Sequence, residues 1–93
     1  MFYLGKIKIY NTDEHPFDKL VLIEHQDKKT LKEKFAKSIA DLFFPEINQT
    51  EINSDFSKII FGQNQAMIDV IDIESINEQT FSLNSNKLIN LSA

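Results

Sequence analysis

The sequence predicts a small α+β domain: ββα followed by two to four further strands, an antiparallel sheet with one amphipathic helix packed on one face. Three observations lead there. Residues 5–10 alternate between apolar and lysine side chains, Leu20 to Ile23 form a short continuous apolar run, and Leu31, Phe35, Ile39, Leu42 and Phe43 recur at helical spacing.

The first strand covers residues 2–10. Ile7 and Ile9 point to one side and Lys6 and Lys8 to the other, the signature of a sheet with one wet face. Asn11 to Asp18 is rich in turn formers, including Asn, Asp and Pro. The run from Lys19 to His25 is the second strand. A link this short does not accommodate a parallel crossover, so the two strands are expected to pair as a hairpin with a long loop.

The helix is expected over residues 30–43. Thr30 and Glu33 have the spacing of a capping box, in which each side chain accepts from the other residue's amide. Glu33 and Lys37 are in the favourable i,i+4 order. Pro45 excludes Phe44 from the α region, so the helix stops there. Residues 46–55 are polar and read as a loop.

Residues 57–61 are read as a strand, with a short helix capped by Ser54 as the alternative. Gly62-Gln63-Asn64 is a hairpin turn. Ala66 to Ile73 is apolar on both faces, which places it centrally in the sheet. Residues 80–83 and 87–91 are read as two short strands, or else as a loosely attached C-terminal tail from about residue 84. The expected core is Ile7, Ile9, Val21, Ile23, Leu31, Phe35, Ile39, Leu42, Phe43, Ile60, Ile68 and Val70, and residues 1–93 form a single domain.

Composition bounds the function. Hydrophobic content is 42% and charged content 26%, the ordinary globular range, which excludes a disordered chain. No apolar run is long enough to span a bilayer, no signal-peptide pattern is present, and a cytoplasmic setting is expected. Cysteine is absent, so there are no disulfides and no thiolate ligands. All ten basic residues are lysine. Residues 1–44 hold eight lysines against seven acids, whereas residues 45–93 hold two against seven. The acidic second half disfavours direct nucleic-acid binding, which needs clustered cations. Lys28, Lys29, Lys32, Lys34 and Lys37 spread around the helix among acids and read as a solvated face.

No catalytic motif is present: no Gly-x-Ser-x-Gly, no His-Glu-x-x-His, and no Gly-rich phosphate loop in a chain with glycines only at 5 and 62. No cofactor, metal or catalytic residue is assigned. Ten aromatics are more than a core of this size buries easily, and exposed aromatics mark interfaces. The leading expectation is therefore a non-enzymatic interaction module, a small inhibitor or accessory protein of the mobile-element type, for example an anti-CRISPR-like inhibitor of a nucleic-acid-handling enzyme. It would dock on a larger partner with a basic groove through an acidic and aromatic surface: Glu46, Glu51, Asp55, Phe56, Asp69, Asp72 and Glu74. Homodimerisation through an edge strand is a related reading. The alternative is a small metal-dependent or acid–base enzyme using His15, His25 and nearby carboxylates.

Overall fold

Alternation in the first strand carries directly into the architecture. In the computed structural model, which describes residues 1–92, β1 (Phe2–Asn11) buries Tyr3, Gly5, Ile7 and Ile9 on one face. It lies between β2 (Glu14–Glu24) and β5 (Ala66–Ile76), antiparallel to both. Beyond β5 come β4 (Lys58–Phe61) and β3 (Thr50–Ile52), and beyond β2 comes β6 (Ile89–Asn90), giving the order β3-β4-β5-β1-β2-β6. Helix α1 (Leu31–Leu42) covers the buried face, and α2 (Glu78–Asn84) lies on the other side against β1. The α+β class, a helix packed on a sheet, is as the sequence predicts.

The helix face of the sheet holds the core. Leu31, Phe35, Ala36 and Ile39 of α1 pack on Tyr3, Ile7, Ile9, Val21, Ile23, Ile59, Phe61, Ala66 and Ile68. Burying each large side chain stabilises by about 1.5–3 kcal/mol. At the centre the ring of Phe35 rests on Gly5, so closely that a Cβ there would overlap the ring. The glycine is required by this approach of helix to strand. The Glu33–Lys37 pair forms on the outer side of α1, with Nζ donating to Oε2 at 2.6 Å.

Several local expectations are corrected. Residues 11–18 are not a long loop: Thr12 and Asp13 alone link the strands, and His15 to Asp18 lie in β2. Register places Ile9 opposite Phe17 but Asn11 opposite Glu14, so β2 carries a bulge at His15 and Pro16. A bulge on an edge strand is where a sheet tolerates proline, which has no N–H for the ladder. The capping box does not form. Instead, residues 28–30 make a 3-10 turn capped by Asp27, whose carboxylate accepts from the Lys29 N–H at 3.0 Å, and Thr30 makes no side-chain cap bond. In the core, Ile59 and Phe61 face inward rather than Ile60, Phe43 and Val70 are half-buried, and Leu42 is 49% exposed.

The C-terminal segment differs most from expectation. Residues 78–84 form a helix rather than a strand, started by Asn77, whose side-chain oxygen accepts from the Thr80 N–H at 2.7 Å. Its Phe81 ring meets Phe2 at a tilt, with centroids 4.7 Å apart, on the face that alternation turns opposite α1. The sheet is antiparallel except at β6, which runs parallel to β2. The stretch read as a loosely attached tail from about 84 supplies β6, with Leu91 N–H donating to Leu22 C=O at 2.7 Å and Glu24 N–H to Ser92 Oγ at 2.5 Å.

Gly5→Ala is expected to lower stability by about 1–3 kcal/mol through overpacking. Combining it with Phe35→Leu should recover part of that loss, read as a non-additive double-mutant cycle in urea denaturation. Strict additivity would mean that the ring does not constrain position 5.

Candidate functional site

The sheet does not close evenly along β5. Its first half, Ala66–Asp69, pairs with β4 on one side and β1 on the other. Its second half, Asp72–Ile76, pairs with β1 alone, because β4 begins only at Lys58 opposite Asp69. The change coincides with a bulge. Lys6 faces Asp72 and Ile7 faces Val70, so Ile71 is the extra residue. Bulges bend and twist the strand that holds them. Here the bulge lets Val70 and Ile73 both pack towards the core, while Ile71 is left 52% exposed.

The loop between β3 and β4 borders this free half. Asn53 Oδ1 accepts from the Ser57 and Lys58 N–H groups at 2.9 and 3.0 Å. Asp55 Oδ1 accepts from the Ser57 hydroxyl at 2.6 Å and the Ser57 N–H at 3.2 Å. Phe56 adopts φ 59°, a left-handed conformation unusual for a bulky residue, and its half-buried ring packs against the core. Asp55, Phe56 and Ser57, with Lys32 of α1 and Val70 to Ile73 of β5, line a depression of about 180 Å³. The Ser57 hydroxyl bond holds the Asp55 carboxyl below the ordinary carboxylate range, with smaller support from backbone bonds and from Lys32.

Only part of the predicted acidic surface converges there. Asp55, Phe56 and Asp72 share the depression, and Glu74 follows along the same strand edge. Asp69 lies further back in β5, opposite Lys8 on one side and Lys58 on the other, with a buried carboxyl oxygen that has no hydrogen-bond partner. Glu51 is opposite Ile60 in β3. Glu46 lies beside Ile47 and Gln65, at the β4–β5 turn end of the sheet. Position in the fold thus divides the seven residues into a cluster and three outliers.

Charge balance divides them again. Lys6 is opposite Asp72, but its ammonium is drawn to Asp18 of β2 at 3.6 Å. Glu74 faces Leu4 and has no cation opposite. Asp72 and Glu74 are therefore the exposed acids of β5 with the weakest neutralisation. Lys6, Lys8 and Lys58 are invisible as neighbours in the linear sequence, since only strand register brings them beside β5. Ile71 had a signal: Val70-Ile71 places two apolar residues where strict alternation calls for one.

The aromatic surplus is smaller than composition suggests. Phe2 and Phe81 pack against each other at a tilt, Phe44 meets Phe61 edge-on at 5.0 Å, and Tyr3 is buried. Phe17 of β2 is the aromatic left exposed, at 42%. His15 and His25 stand at opposite ends of β2, roughly 30 Å apart along an extended strand. They do not share a site. His25 Nε2 is 2.8 Å from Thr30 Oγ1. Among the described residues no group of three or more His, Asp or Glu side chains is placed to hold a metal ion, and no helix is long and apolar enough to cross a membrane. No protein-family model, curated protein or solved structure matches the chain.

Removing the hydroxyl with Ser57→Ala should raise the Asp55 pKa towards its ordinary value, measured by NMR titration of the carboxyl. Because the folded-state value lies below the unfolded one, the stabilisation is complete above about pH 5 and is lost as pH falls through the unfolded and then the folded value. An unchanged titration in the variant would place the cause elsewhere.

Proposed function

We propose that this protein is a non-enzymatic interaction module that docks on a larger protein partner carrying a basic, nucleic-acid-binding groove. In type it would be a small inhibitor or accessory protein of a mobile element, anti-CRISPR-like in role. The observation that carries the reading is the free half of β5, where exposed Asp72 and Glu74 make no ion pair among the described residues, beside exposed Ile71 and the Asp55–Phe56 loop.

Carboxylates around an exposed apolar residue match the general build of a docking patch, an apolar centre with a charged rim. Charges of one sign on the rim steer an oppositely charged partner and reject like-charged ones. The lysines of α1 serve this purpose less well, since Lys37 is paired with Glu33 and Lys32 sits at the rim of the acidic depression.

Affinity purification from host lysate with quantitative mass spectrometry tests the proposal. The expected result is one stoichiometric partner that loses nucleic-acid binding when complexed and is recovered at least about tenfold less with Asp55→Asn/Asp72→Asn/Glu74→Gln. Lys32→Ala/Lys34→Ala/Lys37→Ala should retain it. Absence of any stoichiometric partner would defeat the proposal, and the opposite pattern of variants would assign docking to the helix.

A further inference from the structure

The free half of β5 offers backbone as well as charge, and its hydrogen-bonding direction follows from register. Leu22 C=O accepts from Leu91 of β6, so Leu22 turns its backbone away from β1. Its neighbours Val21 and Ile23 therefore turn theirs towards Gly5 and Tyr3. Those two β1 residues face β2, which leaves Phe2, Leu4 and Lys6 bonding to β5 at Ile76, Glu74 and Asp72. Ile73 and Ser75, lying between these partners, direct their N–H and C=O groups to the open side. Val70, on the near side of the bulge, already uses that direction, donating to Ser57 C=O at 2.8 Å. The β4–β5 ladder thus ends with this bond and leaves the next positions of the same edge vacant.

Side chains along this edge are sorted by face. Ile73, like Phe56, packs towards the core on the α1 side. Asp72 and Glu74 lie on the other side and are exposed. A strand added here would place alternate residues beside Ile73 and beside the two acids.

A second copy of this chain is a poor occupant. Symmetric antiparallel pairing centred on Ile73 sets Asp72 against Glu74 of the other copy; centring on Glu74 or Asp72 sets each against itself. Like charges directly opposite in a sheet are destabilising. A second open edge, β2 from Glu14 to Leu20, is a poorer template because it carries a bulge and Pro16, and the outer strands β3 and β6 are only three and two residues long.

Resting on the proposed function, we infer that β5 binds its partner by strand addition. The occupant is an extended segment, about six residues long, that pairs with the edge at Ile71–Ile76 and alternates apolar residues beside Ile73 with lysine or arginine beside Asp72 and Glu74. Backbone bonds to Ile73 and Ser75 hold the segment. The carboxylates select a cationic strand over a copy of this chain, and the bulge at Ile71 marks where β4 ends and the segment begins.

The probe is a ten-residue peptide of alternating lysine and valine, compared with a peptide of the same composition arranged as a lysine block and a valine block. Amide exchange and chemical shifts are followed by NMR on the intact protein. The expected result is that the alternating peptide slows exchange at Ile73 and Ser75 at least about tenfold, that the block peptide does not, and that Asp72→Asn/Glu74→Gln weakens binding about tenfold. Methylating the alternating peptide's amides that face the edge should abolish the protection while keeping its charge. If both peptides bind equally and perturb only the Asp72 and Glu74 side, the strand-addition inference falls and the acidic docking surface stands. If neither binds, both fall.

Discussion

The contact between the Phe35 ring and Gly5 sets the distance between α1 and the sheet. A helix resting on a sheet is held off by the side chains between them, and removing a side chain lets a large ring occupy the vacated volume. Gly5 is flanked in register by Val21 and Ile73, so the ring lies over the middle of three strands. Everything that gathers on the helix face, from Leu31 at one end to Phe61 at the other, is arranged around that position. In a chain of 93 residues there is no second core of comparable size to compensate for losing it.

Two phenylalanines hold the chain at the margins of this core in conformations that ordinary side chains avoid. Phe44, after α1, and Phe56, between β3 and β4, have φ values of 50° and 59°. Such positions cost on the order of 1–3 kcal/mol and persist where packing over-determines them. Both rings pack against the main cluster, and Phe44 meets Phe61 edge-on. Ring burial thus offsets backbone strain at the two places where the chain reverses to enter β3 and β4. The Phe56 case also shapes the depression beside β5, because turning that ring inward leaves Asp55 at the surface.

Much of the fold was legible because the relevant signals are local. Leu31, Phe35 and Ile39 announce α1, the alternation at Ile7 and Ile9 announces β1, and Gly62 and Asn64 occupy the positive-φ positions of the hairpin turn. Misreadings arose where local chemistry has two outcomes. Pro16 marks a turn in most contexts and an edge bulge here. Ile59 and Ile60 are identical in chemistry, so parity came only from pairing with Ile68. Thr80 to Leu83 alternates like a strand, although Asn77 and Glu78 carry the helix-start chemistry that prevails. Of the candidate site, the acids of β5 and the Asp55–Phe56 pair were visible. Their division into compensated and uncompensated charges was not, because Lys6, Lys8 and Lys58 reach β5 only through register.

The bulge in β5 has a consequence for how this chain can vary. Between the Gly62 turn and the Asn77 cap, β5 uses one residue more than the strand it runs beside, and the bulge takes up that residue so that both ends of the strand keep phase. Ala66 and Ile68 face the helix counting from one end, and Ile73 counting from the other. Losing Ile71 would remove the bulge and leave regular alternation, with Val70 and Ile73 still facing the helix. The extra residue is therefore dispensable for the core, and its effect is confined to the edge, where it sets the bend of the strand and the side chain left exposed beside the end of β4.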